Sequence, residues 1–143
     1  MSAARLTTRE FSIDDYAQAC ALWNEVEGVE ICEGDSRAEI LAFLARNPGL
    51  SRVAEEDGQL AGAVLCGHDG RRGYIYHLAV APRARRLGAG RLLIEECMTG
   101  LRAAGIKRAL LLAADDNSLG QEFWLRNGWE KLEAIAMGRD IER

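Results

Sequence analysis

The chain has 143 residues and a net charge of −4, with 22 acidic residues against 18 lysines and arginines. A chain of this length forms one domain and buries about two thirds of its unfolded surface. The acidic balance argues against general nucleic-acid binding, and no apolar run approaches the ~20 residues of a membrane span. The amino terminus lacks the apolar core of a signal peptide. We therefore expect a cytoplasmic protein with no nucleic-acid or membrane partner.

The first third of the chain predicts one strand and two helices. Residues 6–11 alternate weakly, which indicates a strand. Ser12 and Ser36 have hydroxyls suited to capping helices, and Glu39 completes a capping box with Ser36. Between these two helices, residues 25–35 form a predicted loop with five carboxylates.

The middle of the chain predicts three strands. Residues 51–55 and 59–66 flank the dipeptide Asp57-Gly58, which favours a tight hairpin. Residues 74–80 are rich in the aromatic and branched side chains that favour strands. Period-two alternation predicts that one face of this strand carries Tyr74, Tyr76 and Leu78 and the other carries Ile75, His77 and Ala79. We expect His77 to be a packed strand residue.

The last third predicts a helix over 88–104, a strand over 108–114 covered on both faces, and a helix over 119–126. Residues 129–134 and 135–141 are predicted to form a closing pair of strands. The alternation of strands and helices indicates a mixed α/β arrangement in three layers.

A basic segment lies between the strand at 74–80 and the helix that follows it. From residue 70 to residue 94 there are six arginines and no acidic residue, where even spacing would place about four acids. Gly88 and Gly90 leave backbone N–H groups uncovered where the helix begins, and the amino end of a helix attracts anions. The segment predicts a cradle for a diphosphate; a solvated basic turn is the simpler alternative.

This segment differs from the commoner phosphate-binding motifs. No lysine follows Gly90, as a P-loop requires, and Leu93 stands where the dinucleotide fingerprint has its third glycine. It resembles instead the Gln/Arg-x-x-Gly-x-Gly/Ala signature with which the GCN5-related N-acetyltransferases (GNAT) bind the pyrophosphate of acetyl-coenzyme A. The matching residues are Arg85-Arg86-Leu87-Gly88-Ala89-Gly90.

A second segment resembles the same family. Its pattern is Asn-x-x-Ala-x-x-x-Tyr-x-x-x-Gly-Phe, which Asn117, Gly128 and Trp129 follow, with Gly120 in place of Ala. Trp124 stands at the position of the Tyr whose hydroxyl protonates the leaving thiolate in family members. Because an indole N–H cannot act as this acid, the resemblance leaves the role to Tyr74, Tyr76 or a water.

The resemblance spans residues 5–141 and implies one N-acetyltransferase domain. It implies a GNAT-like α/β fold, with a mixed, mostly antiparallel central sheet flanked by helices in the order β-α-α-β-β-β-α-β-α-β. It also implies transfer of an acetyl group from acetyl-coenzyme A to a primary amine, by direct attack in a ternary complex. The acceptor is a small-molecule amine or the amino terminus of a peptide or protein. The alternatives are a coenzyme-binding sensor with little turnover and an unrelated phosphate-binding module.

The resemblance also assigns the residues of the site. It places acetyl-coenzyme A between the strand ending at Val80 and the strand around Leu111. The backbone N–H of Leu78 is assigned to the oxyanion, and Arg83 or Arg91 to the remaining phosphate charge. The residues that it assigns to the coenzyme are Leu78, Ala79, Val80, Arg85, Arg86, Leu87, Gly88, Ala89, Gly90, Arg91, Asn117 and Trp124.

The general base stays open at this point, since family members often carry a carboxylate on the central strand and this chain has none there. Tyr76 and Glu30 or Glu33 are the candidates. The acidic loop favours a cationic acceptor, or it is a solvated loop.

Four widely spaced cysteines and two histidines without ligand-like spacing predict no metal site. Cys20 and Cys97 are expected to be core thiols and Cys32 an exposed one. A monomer and a homodimer both agree with the sequence.

Overall fold

A computed structural model describes residues 6–26, 29 and 31–142. It contains two compact units, the first ending at Leu111 and the second beginning at Leu112. The single domain expected over residues 5–141 stays a prediction, and Arg5 lies outside the described residues.

The first unit is built on a five-stranded sheet with strands in chain order, β1-β2-β3-β4-β5. Neighbouring strands are antiparallel, except that β4 and β5 are parallel. The predicted mixed, mostly antiparallel sheet is therefore confirmed. The strands are β1 (Leu6–Glu10), β2 (Arg52–Glu56), β3 (Gln59–His68), β4 (Gly73–Val80) and β5 (Ala109–Leu111).

Among the described residues of this unit, three α-helices accompany the sheet: α1 (Tyr16–Glu25), α2 (Arg37–Arg46) and α3 (Ala89–Ala103). A 3₁₀ turn over Ile13–Asp15 precedes α1, and another over Pro82–Leu87 forms part of the basic segment before α3. The capping box predicted at α2 is present, because Ser36 Oγ accepts from the Glu39 amide at 3.2 Å.

The core lies between the sheet and the helices. Trp23 of α1 and Ile40 of α2 pack into one buried cluster with Phe11 and Ala79. Helix α3 buries Leu93, Cys97 and Leu101, which follow one another at the spacing of a helical face. A glycine is needed at position 73, the first residue of β4, because Leu101 fills the space beside it. A Cβ on residue 73 would lie 2.6 Å from the Leu101 Cδ1 atom. Cys97 is buried and Cys32 exposed, as expected, while Cys20 is half-buried.

Strand β4 contains a bulge that corrects the predicted alternation. Pairing with β3 passes from Leu65↔Tyr76 to Ala63↔Ala79, so an extra residue is inserted in β4. His77 has a φ of 52° there. As a result Tyr76 contacts Phe43 of α2 and His77 contacts Trp23 of α1, so both side chains lie on the side of the sheet that packs against these two helices. The prediction that Tyr76 and His77 lie on opposite faces of the strand is therefore wrong, because the alternation breaks after Tyr76.

The second unit contains one helix, α4 (Ser118–Arg126), close to the prediction. The closing strands predicted over 129–134 and 135–141 are absent from this described stretch. No turn-forming residue separates the two predicted strands, so they cannot close as a hairpin. Ile135 and Met137 are 88% and 92% exposed, so no burial holds the segment extended. Strand β5 covers only three of the residues predicted over 108–114 and is half-buried.

Candidate active site

The first feature of the site is an unpaired edge of β4. Strand β5 pairs with β4 from Gly73↔Ala109 to Ile75↔Leu111, whereas β4 continues to Val80. On this side no strand of the described residues pairs with Tyr76–Val80. Backbone groups at such an edge can pair with an extended ligand.

The bulge gives this edge an irregular backbone. Between the pairs Leu65↔Tyr76 and Ala63↔Ala79, β3 has one residue, Val64, and β4 has two, His77 and Leu78. A residue other than glycine with positive φ costs about 1–3 kcal/mol, and such residues concentrate at functional sites. The peptide between His77 and Leu78 is therefore turned out of the regular ladder. The Leu78 N–H of this peptide is the one that the family resemblance assigns to the oxyanion.

The amino end of α3 is the second feature. The 3₁₀ turn ends at Gly88, whose φ of 75° is left-handed, and α3 begins at Ala89. No side chain caps this end, and the Leu92 amide bonds to the Gly88 carbonyl at 3.0 Å. The amides of Ala89, Gly90 and Arg91 precede the first intrahelical bond. They form the anion-attracting end of a 15-residue helix.

The two features are tied together by the basic segment. Arg85 Nε donates to the Val80 carbonyl at 3.2 Å, which fixes the turn against the end of β4. Arg83 is occupied by the Leu60 carbonyl at 3.0 Å and by Glu56 at 3.4 Å.

Two further arginines of this segment extend into solvent. Arg86 and Arg91 are exposed, and neither forms an ion pair with the residues that the structure describes. The positive field available to a ligand therefore comes from these two side chains, from Arg85, whose bond to a neutral carbonyl leaves its charge uncompensated, and from the helix end.

Tyr76 lies on the unpaired part of β4. Its ring stacks on Tyr74 at 6.1 Å between centroids and meets Phe43 edge-on, with 42% of the residue exposed. Burial, with a smaller contribution from Tyr74 and Asp69, raises the pKa of the Tyr76 hydroxyl. A phenol with a raised pKa stays protonated at neutral pH, so this group can donate a proton but is poorly suited to accept one.

A histidine and an aspartate that the sequence did not bring together meet beside this edge. His77 Nε2 lies 2.9 Å from Asp35 Oδ2, and Asp35 is 8% exposed. The Cys32 amide donates to the same oxygen at 3.0 Å, and the Tyr16 hydroxyl donates to the Asp35 carbonyl at 2.6 Å. Trp23 packs on the imidazole at 5.1 Å between ring centroids. His77 is thus packed, as expected, but it is also paired with a carboxylate.

The two carboxylates considered as the general base, Glu30 and Glu33, are not seen in contact with β4 among the described residues. Glu33 is exposed in a turn and makes no hydrogen bond or ion pair with the described part of β4. Glu30 lies outside the described residues. No sequence signal identified the pair of Asp35 and His77, because the bulge that turns His77 toward α1 has no signature in the strand pattern.

The second unit holds two of the assigned residues. Asn117 caps α4, since its Oδ1 accepts from the Gly120 amide at 3.1 Å. A Cβ on residue 120 would collide with the Asn117 side chain, which explains the glycine there. Trp124 packs edge-on against Phe123 and Trp129 at 5.1 and 5.2 Å.

No group of three His, Cys, Asp or Glu side chains in the described parts of the chain could hold a metal ion. None of the helices described is both long and apolar enough to cross a membrane.

Comparison with known proteins identifies the class. A sequence profile of the acetyltransferase (GNAT) family matches residues 13–129. An acetyltransferase of Pectobacterium atrosepticum is 30% identical over 133 residues, covering 93% of this chain and 94% of the relative. The chain therefore belongs to the GNAT acetyltransferase family, and it is an N-acetyltransferase.

Solved structures of more distant proteins share the fold. The PaiA N-acetyltransferase of Thermoplasma acidophilum, in complex with coenzyme A, has a TM-score of 0.77 at 19% identity, covering 92% of this chain and 93% of that one. An aminoglycoside N-acetyltransferase in complex with coenzyme A has a TM-score of 0.74 at 16% identity, covering 98% and 97%.

Proposed function

We propose that this protein transfers an acetyl group from acetyl-coenzyme A to a primary amine that attacks the thioester directly. The observation that carries the proposal is the uncapped amino end of α3 joined to the unpaired edge of β4. The acceptor is a small-molecule amine or the amino terminus of a peptide or protein.

The proposed coenzyme site follows from the chemistry of its two ends. A pyrophosphate needs hydrogen-bond donors and positive charge, which the amides of 89–91 and the side chains of Arg86 and Arg91 supply; the Gly88 amide already donates to the Arg85 carbonyl. The amide groups of a pantetheine arm need an extended backbone partner, which residues 78–80 supply. The Leu78 N–H, turned out of the ladder by the bulge, would hold the negative charge that develops on the thioester oxygen.

The proposed acceptor is a cation in its resting form. Glu33, Asp35 and Glu39 concentrate negative charge in and after the loop between α1 and α2. Such a field attracts an ammonium group. An amine with a pKa near ~10.4 must lose a proton before it attacks, at a cost of about 4–5 kcal/mol at neutral pH.

The proposed acid is Tyr76. Trp124 cannot protonate the leaving thiolate, whereas the Tyr76 hydroxyl is partly exposed and protonated at neutral pH. A thiol with a pKa near ~8.5 costs only about 2 kcal/mol to release unprotonated, so this acid accelerates the reaction without being indispensable.

The proposal is tested by incubating the protein with acetyl-coenzyme A and a panel of primary amines and peptides with free amino termini. The acetylated product is detected by mass spectrometry, because the exposed Cys32 would react with a thiol reagent. We expect at least one amine to be acetylated in proportion to enzyme. Binding of coenzyme A without turnover of any amine would support the sensor function instead.

A further inference from the structure

We propose that His77 is the general base of the reaction and that Asp35 is the residue that positions it. The proposal rests on the proposed function, because it assigns a residue to the deprotonation of the amine. It replaces Tyr76 and Glu33 as the base, and the contact between the His77 imidazole and the Asp35 carboxylate carries it.

The contact with Asp35 determines the tautomer of the His77 imidazole. A carboxylate oxygen only accepts hydrogen bonds, so the 2.9 Å contact with Asp35 Oδ2 places a proton on His77 Nε2. The neutral ring then presents an unprotonated Nδ1. The described residues give Nδ1 no hydrogen-bond partner. A carboxylate that fixes one nitrogen of an imidazole and leaves the other free to accept a proton is the arrangement used in catalytic dyads.

Both members of the pair are held in place by their neighbours. Asp35 is held at both its carboxylate and its carbonyl, by the Cys32 amide and the Tyr16 hydroxyl. The imidazole is held between this carboxylate and the Trp23 ring. A base that is fixed by packing and a second hydrogen bond is pre-organised for proton transfer.

His77 lies beside the proposed oxyanion donor. His77 directly precedes Leu78, whose N–H is the proposed oxyanion donor, so the two groups come from one bulge. The His77 side chain is 18% exposed, enough for contact with an acceptor or with one bridging water. The positive φ of His77 is the backbone feature that sets both groups.

The step balances as follows. The ammonium form of the acceptor gives one proton to His77 Nδ1, which passes it to solvent. The amine nitrogen then forms a bond to the thioester carbonyl carbon, and the carbon–sulfur bond breaks. After the attack the nitrogen gives its second proton to solvent, the leaving thiolate takes a proton from Tyr76 or water, and solvent returns the proton to Tyr76. The products are an N-acetyl amide and free coenzyme thiol.

The surroundings of His77 contain several other titratable groups. The groups on elements packed near the pair are Asp35, Cys32, Glu39, Tyr16 and Tyr76. Substitution of His77 itself, compared with the other variants, therefore has to separate its role from those of these groups.

The kinetic test compares His77→Gln, Asp35→Asn and the control His68→Gln. With an amine found in the panel, we expect H77Q to lower kcat/KM about 100-fold. We expect D35N to lower kcat about tenfold or more, and Asp35→Glu to restore part of it. All variants should bind coenzyme A within about twofold of the parent. His68, which accepts from the Gly70 amide at the end of β3, is the matched control and should be unchanged.

A second measurement does not need turnover. Because the chain has two histidines, nitrogen NMR of the H68Q variant reports His77 alone. We expect the neutral Nε2–H tautomer in this variant and a shift toward Nδ1–H when D35N is added. An Nδ1–H tautomer in H68Q would overturn the proposal. So would an H77Q enzyme with unchanged kcat/KM, which would leave the proposed function intact. If the parent acetylates no amine, the proposed function and this role fall together.

Discussion

Ile75 and Leu111 form the last pair of the parallel ladder between β4 and β5, and β4 continues past this pair to Val80. The pairing thus ends just before the bulge at His77. The chain then turns into the uncapped amino end of α3. One strand edge and one helix end, joined by the basic segment, therefore supply the backbone donors of the proposed coenzyme site.

The end of α3 predicts a loss of coenzyme binding in Gly88→Glu. No atom lies within 4 Å of a Cβ built on Gly88, so the new carboxylate would occupy the space before the helix and repel a pyrophosphate. We expect the affinity for coenzyme A to fall at least ~100-fold in calorimetric titration, given that ion contacts at such sites contribute a few kcal/mol.

Gly105→Glu is the matched control for this change. Gly105 has a φ of 82° and similar open space, but it follows the carboxyl end of α3, whereas Gly88 precedes its amino end. It suffers the same backbone strain without a phosphate nearby, so its affinity should stay near that of the parent. Equal losses in both variants would show that strain, not charge at the cradle, is responsible.

The arginines predict a contrast between Arg91→Ala and Arg83→Ala. Arg91 is exposed without an ion-pair partner in the part of the chain described, whereas Arg83 is occupied by Glu56 and Leu60. We expect R91A to weaken coenzyme binding about tenfold and to reduce its salt dependence. We expect R83A to keep its affinity and lose less than about 1 kcal/mol of stability, since its partners are partly exposed. The reverse order would contradict this assignment.

The Tyr76 hydroxyl predicts a modest effect on turnover. Without this acid the thiolate leaves unprotonated, which costs about 2 kcal/mol, so Tyr76→Phe should lower kcat at most ~30-fold. Because burial raises the pKa of Tyr76, its proton is retained through neutral pH and lost only above the ordinary tyrosine range. The parent should therefore show no basic limb from this group near neutrality. A loss in Tyr74→Phe but not in Y76F would assign the acid to Tyr74 instead.

The Asp15 carboxylate predicts how stability depends on pH. The Arg9 guanidinium, at 2.7 and 2.8 Å, holds the pKa of Asp15 below its usual value, with help from the Ser12 amide. A carboxyl whose pKa is lower in the folded state stabilises the protein above its unfolded pKa. That stabilisation is lost as the pH falls through the folded pKa.

Asp15→Asn should accordingly cost about 1–3 kcal/mol of unfolding free energy at neutral pH and progressively less in acid. Urea unfolding at several pH values measures this difference. The neighbouring Asp14 is exposed and makes no ion pair with any described residue, so Asp14→Asn should change little. A D15N cost that persists unchanged in acid would contradict the charge-based explanation.

Much of the first unit was predictable from local chemistry. Ser36 and Glu39 fix the start of α2, and Asp57-Gly58 closes the hairpin with left-handed φ values of 51° and 84°. Both signals act between neighbouring residues, so a sequence pattern carries them. Gly88, which ends the 3₁₀ turn, was equally visible.

The features that the sequence did not predict depend on contacts between residues far apart in the chain. The bulge at His77 arises from how β4 registers against β3, which no alternation within residues 74–80 reveals. The pairing of His77 with Asp35 joins residues 42 positions apart and follows from that bulge. The predicted closing strands had a suitable pattern, but a strand needs a neighbouring strand and a buried face; residues 130–142 are exposed, and no described strand of the second unit pairs with them.

The most direct test of the central claim is an amide NMR titration of the isotope-labelled protein with coenzyme A. We expect the largest shift changes on the amides of Leu78–Val80 and Leu87–Arg91, with smaller changes along β1 and β2. Changes that leave both segments untouched, or the absence of any saturable change, would contradict a coenzyme site at the edge of β4 and the amino end of α3.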